Sequence, residues 1–146
     1  MASTTTLERA IEGWDRRGHW PHAVLLTGGE RAGVFAAAEQ VAARRLCREP
    51  PAGTQACGKC SACARLGRGS HLDLHHLISS ATAQEFELPH EGEDGKARAT
   101  ITKDEVLGLC RSLSLRAHEG GWRVVIVLRP EEMNPAAANA FLKTLE

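Results

Sequence analysis

The chain contains no tyrosine, and three phenylalanines with three tryptophans are its whole aromatic content over 146 residues. Proteins that grip unpaired bases do so largely by stacking them on rings, so this composition leaves little for an autonomous nucleic-acid surface. An excess of charge is missing as well, since eighteen Lys and Arg balance eighteen Asp and Glu. No bulk field then draws the domain to DNA, RNA or an anionic membrane. Local basic spots exist, Arg44 with Arg45 and Arg65 to His71 ("RLGRGSH"), and read as solvated arginines on helix faces. Long apolar runs are also lacking, and the first twenty residues have neither the charged start nor the apolar centre of a secretory signal. The expectation is a cytoplasmic protein with no membrane association. In that reducing compartment its five cysteines are thiols or metal ligands, not a disulfide framework.

What is present is the composition of an ordinary globular domain, 42% hydrophobic and 25% charged, long enough for one core. Thr5 with Glu8 reads as a capping box, followed by Leu7, Ile11 and Trp14 at helical spacing, with the helix ending near Gly18. Ala23 to Thr27, "AVLLT", bounded by Pro21 and Gly28-Gly29, reads as a buried strand. The Ala-rich run Val34 to Leu46 reads as a helix. Cys47 to Gly69 is an irregular excursion dense in Cys, Gly and Pro, and "LDLHHLIS" from Leu72 resumes a strand pattern. Ser79 to Ala99 is polar and reads as a mobile loop or hairpin. A second capping box, Thr102 with Glu105, opens a helix with an apolar stripe of Val106, Leu109 and Leu113 that ends at Gly120-Gly121, and Cys110 within it reads as a core thiol. "WRVVIVL", Trp122 to Leu128, belongs in the middle of a parallel sheet. Asn134 as N-cap and Pro135 in the first turn start the last helix. The alternation implies an α/β fold, a parallel sheet flanked by helices.

Four cysteines, Cys47, Cys57, Cys60 and Cys63, stand in the pattern C-x9-C-x2-C-x2-C. A C-x2-C turn places two sulfurs on one metal, Gly58 suits that turn because glycine tolerates positive φ, and Cys47 is the cysteine left nearby to supply a fourth thiolate. The set reads as one structural Zn²⁺ per chain, closed to substrate. A redox C-x2-C and merely buried thiols are the competing readings. His71, His75 and His76 are taken as loop or strand residues, with substitution of one of them for a cysteine ligand as the minor alternative.

Between the first strand and helix lies Gly28-Gly-Glu-Arg-Ala-Gly33-Val34-Phe35, with glycines at the spacing of a phosphate-binding loop. Such a loop needs Lys after its second glycine to neutralise phosphate and a hydroxyl next to hold Mg²⁺. Val34 and Phe35 stand at those places, and Glu30 adds a negative charge. An acidic residue is also wanted at the end of a later apolar strand, where this chain has Leu128, Arg129 and Pro130, and Glu131 and Glu132 read as solvated helix-entry charges. Gly28, Gly33, Val34 and Phe35 thus form a vestigial nucleotide site, with no ATP binding and no ATPase activity expected.

"HAVLLTGGERAG", the four-cysteine set, "HLDL" and above all "MNPAAANAFLKTLE" together resemble the delta-prime family of bacterial DNA polymerase III clamp-loader subunits and its sister gamma/tau family. The resemblance implies a RecA-like AAA+ domain over 1–146, truncated at its carboxy-terminal end ahead of the lid, collar and trans-acting arginine motif, with a zinc module inserted at 47–69. It implies a non-catalytic stator in a DNA polymerase assembly, a nucleotidyltransferase. With gamma/tau and delta it would help load the sliding clamp on primed DNA during replication. The alternatives are a divergent gamma/tau-like ATPase that still binds ATP and a free-standing zinc-dependent nucleic-acid binder.

Overall fold

The computed structural model describes residues 2–90, 96–119 and 121–146. They divide into two compact units, Met1–Leu74 with His118–Val124, and His75–Ala117 with Val125–Glu146.

The first unit opens with α1, Ala2–Arg17. Leu7 and Ile11 form its buried stripe, as the spacing predicts. The helix is already under way at Thr5, so the expected capping box does not start it. Its end does follow the sequence: Gly18 adopts φ +63°, its N–H meets Asp15 O at 3.1 Å and the next N–H meets Trp14 O at 3.2 Å. That paired closure needs a left-handed residue, which glycine supplies without strain.

Ala23 to Thr27 departs from expectation. No strand forms there; Val24 is 42% and Leu25 83% exposed. A strand needs a neighbour for its N–H and C=O groups, and among the described residues none pairs with this run, so water serves instead. Helix α2, Arg31–Leu46, begins three residues earlier than the Ala-rich run implies, and α3, Ser61–Gly67, closes the cysteine segment.

The strands are β1, Leu74–Leu77, and β2, Val124–Val127, a two-stranded sheet. Val124 N–H donates to Asp73 O (2.8 Å) and Leu128 N–H to Leu77 O (3.2 Å), the same offset at both ends, so the pair is parallel. The expected burial of "WRVVIVL" on both faces is only partly met. Ile126 is buried at 6% while its neighbours in β2 are half-buried, because a two-stranded sheet leaves edges open. The architecture is therefore α/β with a small parallel sheet; the wider sheet expected of an AAA+ domain is not formed by the described residues.

In the second unit, Leu77, Ile101, Val106 and Ala137 form a buried core against which Leu109, Val125, Met133 and Phe141 pack. Helices α5 (Lys103–Ser114) and α6 (Pro135–Leu145) enclose it. The capping box of α5 is present, with Thr102 N–H donating to Glu105 Oε2 at 2.6 Å and Glu105 N–H to Thr102 Oγ1 at 3.4 Å. Asn134 caps α6 by accepting Ala137 N–H at 2.8 Å. Helix α5 stops at Ser114, short of the expected Gly120-Gly121, of which Gly120 lies outside the described residues. Cys110 packs on this core as expected, its Sγ 2.9 Å from Thr144 Oγ1. The segment expected as a loop from Ser79 to Ala99 carries a short helix, α4 (Ser80–Glu85), capped by Ser79. Arg98 then returns to it through Ser80 Oγ at 2.7 Å; residues 91–95 of that expected loop lie outside the described residues.

Candidate metal centre

Helix α2 ends where the excursion begins, and one side chain ties the two together. Arg44 sends Nη1 to the carbonyls of Pro51 (2.8 Å) and Gln55 (2.9 Å) and grips Asp15 Oδ2 with Nε (3.1 Å) and Nη2 (2.8 Å). It is buried at 9% exposure, so the reading of Arg44 as a solvated surface arginine is corrected. A Gly- and Pro-rich segment cannot close by burying apolar side chains. Here it closes on a guanidinium fork that satisfies its carbonyls.

The four sulfurs of Cys47, Cys57, Cys60 and Cys63 all lie within 4.8 Å of one another. Cys47 and Cys60 stand 4.0 Å apart, Cys57 and Cys63 3.9 Å. A tetrahedron of thiolates about 2.3 Å from a metal has edges of roughly 3.8 Å, so the spacing fits a Zn²⁺-sized ion. Backbone N–H groups turn toward the sulfurs: Cys57 N–H to Cys47 Sγ at 3.4 Å, Cys60 N–H to Cys57 Sγ at 3.2 Å, Cys63 N–H to Cys60 Sγ at 3.5 Å. Gly58 at φ +72° permits this turn. Burial pushes the Cys60 thiol up, yet the N–H groups of Cys63 and Arg48 outweigh it and bring Cys60 down to about 6. Burial and the Cys60 sulfur push Cys63 up to about 12. Protons held on such a cluster are what a thiophilic cation displaces. The three histidines named in the sequence, His71, His75 and His76, are not part of the group.

The same unit holds a second network that the sequence does not advertise. Glu119 accepts Arg65 Nε at 2.7 Å and pairs with Arg48 at 3.2 Å, while His71 Nε2 lies 3.7 Å from it. Asp73, 1% exposed, accepts the N–H groups of His118 (2.8 Å) and Glu119 (3.0 Å), with Arg123 at 3.6 Å. Burial pushes both carboxyls up, but these donors and cations hold each below its ordinary range. Arg65 is thus an ion-paired anchor of α3, again in correction of the solvated reading. Long-range pairs like these leave no spacing pattern in a sequence.

The residues of the glycine loop stand otherwise. Gly28 and Gly33 are exposed, and Gly33, Val34 and Phe35 lie in the first turns of α2. Glu30 precedes the helix without a side-chain cap bond. A Cβ at Gly28 would come within 2.8 Å of Val34 Cγ2, so the aliphatic side chain at the lysine place closes over the glycine. In the second unit, Arg129 follows β2 in the left-handed region (φ 51°). Its guanidinium pairs with Glu85, lies 3.5 Å from Glu132 Oε1 and 3.3 Å from Thr82 Oγ1, and Thr82 donates to Glu132 Oε2 at 3.0 Å. Glu132 is therefore a network member with 11% of its side chain exposed, not a solvated charge.

The family model described as "DNA polymerase III, delta subunit" matches residues 4–146. The delta' subunit of DNA polymerase III from Pseudomonas aeruginosa is 38% identical over 130 residues, 89% of this chain and 35% of that protein. The Escherichia coli delta' subunit is 32% identical over 134 residues, 89% of this chain and 34% of its own, and the Bacillus subtilis delta' subunit 30% over 125, 86% and 32%. This chain spans about a third of the length of these relatives. By the match over nearly all its residues, the chain belongs to the DNA polymerase III delta subunit family, alongside relatives that are delta' subunits.

Proposed function

We propose that this chain forms the amino-terminal AAA+ domain, 1–146, of a non-catalytic clamp-loader subunit, with a zinc module at 47–69. With gamma/tau and delta it acts as the stator of the assembly that loads the sliding clamp on primed DNA in the cytoplasm. The observation carrying the non-catalytic part is Arg129. Where a nucleotide-hydrolysing domain needs an acid to organise Mg²⁺, this chain ends β2 on a guanidinium already engaged by Glu85 and Glu132. Val34 against Gly28 supports the same reading for the vestigial nucleotide site Gly28, Gly33, Val34 and Phe35.

Zn²⁺ would be held by Cys47, Cys57, Cys60 and Cys63, and with four thiolates it cross-links the segment and activates no water. Among the described residues no helix is long and apolar enough to cross a membrane. The test is reconstitution of the full-length protein with gamma/tau and delta. Clamp loading and ATP turnover should depend on its presence, while calorimetry of the protein alone shows no Mg-ATP heat. Micromolar binding of Mg-ATP by the isolated protein would end the stator reading.

A further inference from the structure

Arg129 leaves β2 in the left-handed region, at φ 51° and ψ 64°. For a residue with a Cβ that conformation is strained, and it persists only where the surroundings hold it. Here the guanidinium supplies the hold. Its Nη2 donates to Glu85, its Nη1 reaches Thr82 Oγ1 at 3.3 Å and Glu132 Oε1 at 3.5 Å, and Nε alone has no hydrogen-bond partner among the described residues.

Behind that fork the acceptors are themselves fixed. Thr82 Oγ1 donates to Glu132 Oε2 at 3.0 Å, the Ser79 hydroxyl bonds the same carboxylate, and Ser79 Oγ accepts the Thr82 N–H at 3.1 Å. Each hydroxyl thus gives one proton and receives one bond. Ser79 and Thr82 are fully buried, and Arg129 and Glu132 are mostly so, which leaves Glu85 as the half-exposed member of the group. Three elements meet in this circuit: α4 through Ser79, Thr82 and Glu85, the end of β2 through Arg129, and the 3-10 turn Pro130–Glu132 through Glu132. The place matters as much as the partners. The carboxyl ends of parallel strands are where an α/β sheet leaves a crevice for a ligand, and here the chain lays its own cation across those ends.

We propose that Arg129 is a latch, a built-in cation whose guanidinium lies between Thr82, Glu85 and Glu132 and ties α4 to the end of β2. Without it the two carboxylates lose their shared cation, and the short helix α4 loses its tie to the strand. A setting shaped for a guanidinium from its own chain accepts the free ion once that side chain is removed. The latch would take a moving part out of the stator, yet its readout needs no partner subunit, so its failure is distinct from a failure of reconstitution.

The test is hydrogen exchange on the full-length protein at the Ala83 and Phe86 amides, which donate within α4 to Ser79 O (2.9 Å) and Thr82 O (3.1 Å). Arg129→Gly removes the guanidinium and accepts the positive φ, so exchange at both amides should rise about tenfold while Val106 and Ile126, in the buried core, stay slow. Guanidinium chloride at about 20 mM should restore the slow rate in the variant and leave the parent unchanged, as befits one weak contact. Sodium chloride at the same concentration should restore nothing. Glu85→Gln, at the half-exposed position, should raise α4 exchange by a smaller factor, about threefold, without disturbing the core. The latch is overturned by parent-like exchange in either variant, by equal rescue with sodium, or by loosening in Arg129→Gly that spreads to Val106 and Ile126.

Discussion

Two glycine-bearing turns of the first unit each carry a motif spacing in the sequence, one with its ligands present and one without its key side chains, and the structure treats them differently. The turn at Gly58 sits among four sulfurs within 4.8 Å of one another, with backbone N–H groups directed at them. The turn at Gly28 and Gly29 is exposed and leads from an apolar run that finds no strand partner among the described residues. The difference is where each motif keeps its chemistry. A cysteine knuckle carries its ligands within a few residues and needs only a small turn to converge them. A phosphate cradle depends on a paired strand behind it and on two side chains, and here Val34 and Phe35 occupy their places. What the comparison teaches is that closely spaced cysteines are brought together by local turns alone, whereas a glycine spacing fixes nothing without the strand behind it.

The strongest test of that contrast is the metal. Purified protein should carry about one Zn²⁺ per chain, and Cys60→Ser should reduce the metal content to near zero. Hydrogen exchange should then rise across 48–67 and remain slow at Leu77 and Val106, which are buried in the core of the second unit. Equal metal content in the variant, measured by atomic emission, breaks the comparison at its better end.

Next in size is Arg44→Ala, which leaves the carbonyls of Pro51 and Gln55 and the carboxylate of Asp15 without their donor. The expected loss is about 3 kcal/mol by denaturant titration, discounted from the fully buried case because Asp15 is partly exposed. If the loss is under about 0.5 kcal/mol, as for an ordinary surface site, the excursion is held by metal alone.

How much of this was legible in the sequence divides along the same line. The cysteine group, the Asn134 and Thr102 caps and the stripe through Val106 could be read because each is local, a matter of residues three or four apart, with Cys47 ten before Cys57 as the one longer step. The pairings of Arg44 with Asp15, Arg65 with Glu119 and Arg129 with Glu85 could not. Each joins residues far apart in the chain, and an arginine in a sequence looks the same whether water or a carboxylate meets it. The strand expected at Ala23 failed for a related reason, since apolar character proposes a strand but only a neighbour makes one.

Glu119 offers a smaller effect with a definite sign. Its folded carboxyl titrates below the ordinary 4.5, and that of Asp73 below 3.8. A depressed pKa contributes stability that is present above the unfolded value and is lost as pH falls through the folded one. Acid unfolding should therefore draw on these two groups from about pH 4 downward. In Glu119→Gln the neutral-pH stability should drop, and the slope of stability against pH below pH 4 should flatten. An unchanged slope would show that the pairing with Arg65 and Arg48 contributes nothing to folding.

The smallest expected effect sharpens the comparison most cleanly, because it sets two copies of one motif against each other. Thr102 with Glu105 and Thr5 with Glu8 have the same spacing, yet only the former opens its helix, while α1 has already begun at Ala2. Thr102→Ala removes an acceptor for the Glu105 N–H and should cost about 1 kcal/mol. Thr5→Ala exchanges a β-branched residue for the best helix former at an interior position, so it should leave stability unchanged or raise it by a few tenths of a kcal/mol. Chemical denaturation of both variants under one condition decides the matter. A comparable loss in each would mean that α1 starts at the capping box after all, and that its first turn is not helical in solution.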